Sequence, residues 1–347
     1  VVANYLLWNA VTDEDGLHLV MGSDFKEIRL RLEKALDMIQ RLKLAFAENV
    51  KESDWMDDAT KKTALSKLDA MQMMVGFEDF ILEDADRLNK EFEELKISRE
   101  QMFESIVESM YHMANLDLKK IGQLVTDENS GEVAIPFMLS AKNNKRMNQL
   151  IIPAGRLQAP LFNKDFPKAL NFGAIGGLMG HIITHGFDDK GRLYDKDGNA
   201  AQWWSENVIK EFKKRAQCFI NQYGNYTIPE INMNLNGTKT QGETIADSGG
   251  LKLSLSAYRN WAKQQDGKEM GLPGLALSNE QLFFLNFAQR FCQKRRPEEV
   301  KRRIKRYPYP TAKLRVLGSL QNSPDFPEVF NCKKGDKMNP ENKCKLW

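Results

Sequence analysis

Two histidines, His181 and His185, stand four residues apart in Gly180-His181-Ile182-Ile183-Thr184-His185-Gly186. On a helix that spacing presents both imidazoles on one face, as a tetrahedral zinc ion requires. In the H-E-x-x-H motif of zinc peptidases a glutamate follows the first histidine and takes a proton from the attacking water. Here that residue is Ile182, which neither holds nor transfers a proton. Helix geometry turns it towards the metal. A third ligand is available in Glu243, within Gly242-Glu243-Thr244-Ile245-Ala246-Asp247. Asp247 lies one turn beyond it on the same helical face. A carboxylate behind a ligating histidine fixes the ring's orientation and tautomer. Asp247 and Asp188 are placed to do this for the two histidines. The chain therefore carries a zinc cradle of His181, His185 and Glu243 without the base that zinc hydrolysis uses.

Positioning these side chains is a task for helices. Residues 25–114 read as helical almost throughout, because Phe25, Ile28, Leu32, Ala35, Leu36 and Ile39 recur at helical spacing between charges. Asp54-Trp55-Met56-Asp57-Asp58 starts a second helix through Leu65, Leu68 and Met71. A third, over 84–114, sets Ile106, Met110 and Met113 as core-filling residues. Past residue 120 the pattern changes. Residues 132–138 and 148–152 read as short strands, the second closed by Pro153-Ala154-Gly155. Helices return at 171–186, 203–222, 240–263, 279–293 and 312–321, and the rest of the tail after Pro308 reads as mostly loop. A domain boundary near residue 130 divides a helical lobe, 1–130, from a second domain, 131–347.

The bulk properties fit this organisation. A chain of 347 residues, 42% hydrophobic and 28% charged, is long enough for a large core and two domains. A net charge of +3 gives no reason to expect a nucleic-acid partner. No apolar run approaches the roughly 18 residues of a membrane span. The opening Val1-Val2-Ala3-Asn4-Tyr5-Leu6-Leu7-Trp8 lacks the basic leader of a signal peptide, and a start on Val reads as a processed or incomplete product. Four cysteines, Cys218, Cys292, Cys332 and Cys344, allow three full pairings. Two glycosylation sequons, at Asn225 and Asn236, lie in a polar stretch close to Cys218. Together these point to an extracellular or secreted protein, or to the ectodomain of a membrane protein.

The stretch from Gly180 to Asp189 strongly resembles the zinc-binding helix of the neprilysin and endothelin-converting-enzyme family of metallopeptidases. Other landmarks agree: Pro153-Ala154-Gly155, Trp203-Trp204, Gly242-Glu243-Thr244-Ile245-Ala246-Asp247, Leu272-Pro273-Gly274-Leu275, Gln281-Leu282-Phe283-Phe284-Leu285 and Cys344-Lys345-Leu346-Trp347. The resemblance is dense over 130–347. Over 1–130 it rests on Tyr5-Leu6-Leu7-Trp8 and Trp55-Met56-Asp57. It implies a mainly α fold with small β elements, a zincin or thermolysin-like domain preceded by a reduced helical lobe. It implies zinc as cofactor on His181, His185 and Glu243, with Asp188 and Asp247 as supports. Arg315 matches the arginine that holds a substrate carbonyl. The resemblance pairs Cys218 with Cys344. It leaves Cys292 and Cys332 to pair with each other, to bond outside this chain, or to stay free. A shortened lobe implies a more open cavity, suited to something larger than a short peptide.

Three departures from the family pattern fall on its chemistry. Ile182 replaces the general base. Ser140-Ala141 stands where relatives have Asn-Ala, and a serine is too short to hold a peptide backbone through both a carbonyl and an amide. Tyr309 aligns with the histidine that stabilises the oxyanion, although its hydroxyl still donates. Acid–base help is worth roughly 10²–10⁴-fold and one oxyanion donor about 10²–10³-fold, so little peptidase activity is expected. The expected function is a catalytically inactive homologue that binds peptides or a protein partner. The alternatives are an active zinc endopeptidase with a neighbouring carboxylate as base, and a structural or storage protein. A basic cluster runs from Lys294 through Arg295, Arg296, Arg302 and Arg303 to Arg306. It reads as a solvated helix face or as a patch for sulfated glycan, an acidic partner or anionic membrane near the cavity rim.

Overall fold

Amphipathic periodicity builds most of the molecule. The computed structural model describes residues 14–77, 85–98, 100–123, 139–266 and 269–347. Helix α1, Glu14–Glu52, buries Ala35, Met38, Ile39, Leu42, Ala45, Phe46 and Val50 at steps of three and four. Helix α2, Asp58–Asp69, is capped by Asp57, whose carboxylate accepts from the Thr60 amide at 2.7 Å. Strand β1, Gln72–Gly76, follows at once. Helices α3, Ala85–Phe92, and α4, Met102–Lys119, come next.

Strands β2, Lys142–Asn144, and β3, Gln149–Pro153, complete a sheet of order β1-β3-β2. The central β3 is buried along its whole length, pairing parallel with β1 from Gln72↔Gln149 to Gly76↔Pro153 and antiparallel with β2. Helix α5, Lys168–Asn171, runs through a π-helical turn, Phe172–Gly176, into α6, Gly177–His185. Then come α7, Glu206–Gly224, a ribbon of β4, Thr227–Ile228, and β5, Met233–Asn234, and the long α8, Gly237–Gln264. Helices α9, Asn279–Gln289, α10, Pro297–Arg306, α11, Ala312–Asn322, and α12, Asp325–Phe330, finish the chain. No helix among the described residues is long and apolar enough to cross a membrane.

Two parts of the sequence reading need correction. Residues 25–114 are not helical almost throughout: β1 interrupts them, and residues 95–98 carry no helix. Gln72-Met73-Met74-Val75 lacks a strand-like alternation, and its conformation is set by pairing with β3, seventy-seven residues on in the register. Met110 and Met113 do not fill a core either. Met110 is 67% exposed, beside exposed Phe103 and Tyr111, and among the described residues α4 buries Ser105 and Ser109 instead. The strand expected at 132–138 and the boundary near 130 lie outside the described residues.

One hydrophobic core extends from Ala35 in α1 to Trp347 at the end of the chain. Trp347 packs against Phe46, Trp55, Phe187 and Trp204, with ring centroids 5.1–6.4 Å apart. Trp55 donates its indole N–H to the Leu346 carbonyl at 3.1 Å. The Cys218–Cys344 disulfide ties the same tail to α7, as the family resemblance implies. Cys292 and Cys332 are free, so they do not pair with each other.

Candidate metal centre

The site forms where α8 crosses α6, and glycine permits the crossing. A Cβ on Gly180 would sit 2.9 Å from the Gly250 carbonyl, and one on Gly250 would run into the His181 backbone N–H. The two helices therefore approach backbone to backbone. That closeness brings Glu243 and Asp247, one turn apart on α8, onto His181 and His185, one turn apart on α6.

His181 Nε2 lies 3.5 Å from Glu243 Oε2, and His185 Nε2 lies 3.7 Å from Glu243 Oε1. One donor atom from each residue falls within 4.8 Å of the others. Tetrahedral zinc bonds of about 2.0–2.1 Å put neighbouring ligand atoms about 3.3 Å apart, close to this spacing. The opposite ring nitrogens face carboxylates: His185 Nδ1 is 2.6 Å from Asp188 Oδ2, and His181 Nδ1 is 2.9 Å from Asp247 Oδ1. The first contact is a hydrogen bond; the second is short but poorly aligned for one. Asp188 is itself fixed by the amides of Lys190 and Gly191 at 2.9 and 2.6 Å. Glu243 Oε2 is buried without a hydrogen-bond partner among the described residues, a costly arrangement unless a cation faces it. The donor set, its spacing and this orphaned oxygen all fit zinc.

The electrostatics agree. Burial alone would raise the Glu243 carboxyl, but His181 and His185 hold it well below the usual carboxylate range. Asp247, also raised by burial, is held down by Arg315 and His181. Burial would lower the His185 ring, yet Asp188 and Glu243 push it up to about 9. Three carboxylates thus surround two imidazoles, and a divalent cation would balance them.

Asp247 has a second duty that its sequence position does not reveal. It is 0% exposed and accepts two hydrogen bonds from Arg315, Nε to Oδ2 at 2.6 Å and Nη2 to Oδ1 at 2.7 Å. Arg315 is thereby locked beside the site, with Nη2 3.8 Å from Glu243 Oε2. A cavity of about 1200 Å³ opens over this arrangement, and Ser140, Tyr309 and Arg315 line it with the three candidate ligands. Tyr309 lies against the Arg315 guanidinium, 5.4 Å from ring centre to carbon.

Ile182 does not line that cavity. Helix geometry suggests the metal side, but its side chain is 1% exposed and belongs to the hydrophobic core. An isoleucine gains more by joining the core than by facing a polar cleft. Its carbonyl accepts from Asn143 Nδ2 at 3.2 Å, which ties α6 to β2.

Lys67 escapes sequence reasoning altogether. It is 1% exposed, although lysines on amphipathic helices ordinarily face solvent. Its ammonium donates to the carbonyls of Gly186, Gly191 and Tyr194 at 2.8, 2.8 and 2.6 Å. Burial pushes its pKa down to about 8. All three of its N–H groups are used, and they pin the turn that carries Asp188 behind His185. Nothing in the Lys67 neighbourhood of the sequence signals this, because the partners are backbone atoms more than a hundred residues away.

The basic cluster forms α10 and its approach. Arg295, Arg296, Arg302 and Arg306 are exposed, and Arg303 is half-buried. Arg302 donates two hydrogen bonds to Glu299 at 2.7 and 2.9 Å, while Arg295 and Arg303 stand 4.0 Å from it. Arg303 and Arg306 also lie over the Tyr307 ring. Lys294, Arg295 and Arg303 reach the cavity wall, so the cluster does stand at its rim. Asn225 and Asn236 are exposed at the end of α7 and the start of α8, with Asn236 Oδ1 capping α8 through the Lys239 amide.

Known proteins resemble this chain in sequence and fold. The sequence profile of peptidase family M13 matches residues 141–346, and a second profile of that family matches residues 18–78. The chain is 41% identical to an endothelin-converting enzyme homolog of Locusta migratoria over 313 residues, covering 90% of this chain and 42% of that protein. It is 40% identical to neprilysin of Homo sapiens over 314 residues, covering 90% and 41%. A zinc metalloprotease of Mycobacterium tuberculosis, solved with an inhibitor, superposes with a TM-score of 0.79 at 27% identity, covering 96% of this chain and 50% of that one. The chain thus spans between two fifths and half the length of these relatives. With a family profile matched along more than half its length, the chain belongs to peptidase family M13, the neprilysin and endothelin-converting-enzyme family of zinc metallopeptidases, and has its zincin-type fold.

Proposed function

We propose that the protein is a zinc-binding but catalytically deficient member of its family, which acts by holding peptides, or a peptide-like segment of a protein partner, in the cavity. The observation that carries this reading is the contrast within one helical turn. The His181–His185–Glu243 cradle is complete and supported, while the neighbouring Ile182 is packed into the core. When bound, zinc supplies a Lewis acid that polarises a carbonyl and acidifies water. The chain's own residues then hold the metal and fix the imidazole rings through Asp188 and Asp247. Arg315 and the Tyr309 hydroxyl remain as donors towards a peptide backbone. No group at Ile182 can accept the proton of an attacking water, and Ser140 is too short to grip a backbone from both sides. What remains is recognition without turnover.

The wider setting belongs to the same proposal. The exposed sequons at Asn225 and Asn236 and the Cys218–Cys344 disulfide favour a secreted glycoprotein or an ectodomain. The exposed arginines of α10 favour a sulfated glycan as a second contact at the rim. Free Cys292, exposed beside the cavity, leaves room for association with another chain.

The test combines metal analysis with fluorescence anisotropy, using a labelled mixture of hexapeptides on the zinc-loaded protein. About one zinc per chain is expected, lost in His181→Ala, with peptide bound and recovered uncut. A protein that takes up no zinc and binds no peptide would contradict the proposal. One observation favours the active alternative. Asp189 lines the cavity with a buried Oδ1 that has no hydrogen-bond partner, so it is the carboxylate best placed to stand in as base.

A further inference from the structure

A buried cation in the cavity wall is left without sufficient partners. Arg290 follows the last turn of α9, and its side chain is 5% exposed. Its guanidinium lies over two rings, 4.5 Å from the Phe287 centroid and 4.4 Å from that of Phe291. Ring faces hold the flat side of a guanidinium and leave its N–H edges as donors. Those edges are poorly served. Nη2 lies 3.5 Å from Asp247 Oδ1, an oxygen already engaged by Arg315 Nη2 at 2.7 Å. Nε and Nη1 are buried with no hydrogen-bond partner among the described residues. Arg315 and Arg156 stand close enough to repel the group, adding to the effect of burial, which pushes its pKa down to about 9.

The surroundings make room for this cation and leave it facing a ligand space. A Cβ on Gly177 would sit 3.2 Å from Arg290 Nη1 and 3.1 Å from the Phe287 ring, so the glycine keeps that corner open. Arg290 lines the same cavity as His181, Glu243 and Arg315. Among the described residues, eleven lysines and arginines line it against four aspartates and glutamates, and two of those four, Asp188 and Glu243, already face the histidines. A concave wall of one sign concentrates ligands of the other. Buried donors without partners are costly, and an incoming anion would satisfy them.

We propose that Arg290 is the residue by which this cavity recognises a carboxylate, and that its ligand is an acidic peptide. The carboxylate comes either from an aspartate or glutamate side chain or from the peptide's own C-terminus. It pairs with the Arg290 guanidinium where that side chain lines the cavity, while the peptide backbone lies towards Arg315. This rests on the peptide-binding reading above and names the class of peptide.

The test measures anisotropy with four versions of one labelled hexapeptide, carrying glutamate or glutamine at a central position and a free or amidated C-terminus. On the unmodified protein, removing the recognised carboxylate is expected to weaken binding about 10–100-fold, the worth of a hydrogen bond to a charged group. Which arm loses affinity identifies the source. Arg290→Gln should bring all four peptides to within about twofold of one another, and it should melt at or above the unmodified protein's temperature, since it removes an underpaired buried charge. Equal binding of the four peptides by the unmodified protein overturns this inference alone, as does discrimination that survives in Arg290→Gln. A lower melting temperature for that variant assigns Arg290 a structural role and also overturns it. Failure of every peptide to bind overturns the peptide-binding reading as well.

Discussion

Ile182→Glu is expected to raise chelator-sensitive hydrolysis of a quenched peptide by at least about 10²-fold, the low end of what general acid–base help contributes. The cradle beside it needs no repair: His181, His185 and Glu243 already converge, and Asp188 fixes the His185 ring. What the position lacks is a proton acceptor. Recovery should remain partial, because Ser140 and Tyr309 stay as they are and one donor is worth about 10²–10³-fold. The variant also has a cost. Ile182 is 1% exposed in the core, so a carboxylate there destabilises the protein by roughly 2–4 kcal/mol until it turns towards the metal. A lowered melting temperature that recovers on zinc addition would accompany the gain. A zinc-loaded variant with no added hydrolysis would mean that the absence of a proton acceptor at position 182 is not what limits the chemistry.

Asp247→Ala should be the most damaging single change at the site. Asp247 is wholly buried and faces His181, Arg315 and Arg290, at 2.9, 2.6 and 3.5 Å respectively. Truncating it leaves buried positive groups without their shared counter-charge, at a cost of roughly 3–5 kcal/mol. It also frees the His181 ring to rotate, which should weaken zinc about 10–100-fold. Denaturant unfolding and zinc competition with a chromogenic chelator measure the two effects. Stability within about 1 kcal/mol of the unmodified protein would show that the Asp247–Arg315 pair contributes far less than its geometry implies.

Features encoded over short distances were legible in the sequence. The histidine pair and the Glu243–Asp247 turn follow from helical periodicity and are found where it places them, while Asp188 reaches His185 from the turn just past the end of α6. Most helices of the second half were legible for the same reason. Features decided by distant contacts were not. Strand β1 exists through its pairing with β3, and Lys67 looks like a solvent-facing lysine until the Gly186–Tyr194 loop folds over it. Arg290 precedes the basic run at 294–306, and nothing local shows its side chain turning inward between Phe287 and Phe291. Ile182 marks the limit in the other direction. Its identity removes the base, but helix geometry alone sends its side chain to the wrong side, because periodicity does not register what the core will draw in.

The zinc cradle and the missing base make one joint claim, that the metal is held and peptides are not cut. The most direct measurement is a quenched-peptide assay on the unmodified protein, with zinc content determined on the same sample and a parallel reaction in chelator. The expected result is about one zinc per chain and no difference between the two reactions. Hydrolysis that chelator abolishes would contradict it and move the protein to the active reading, with Asp189 as the first residue to test.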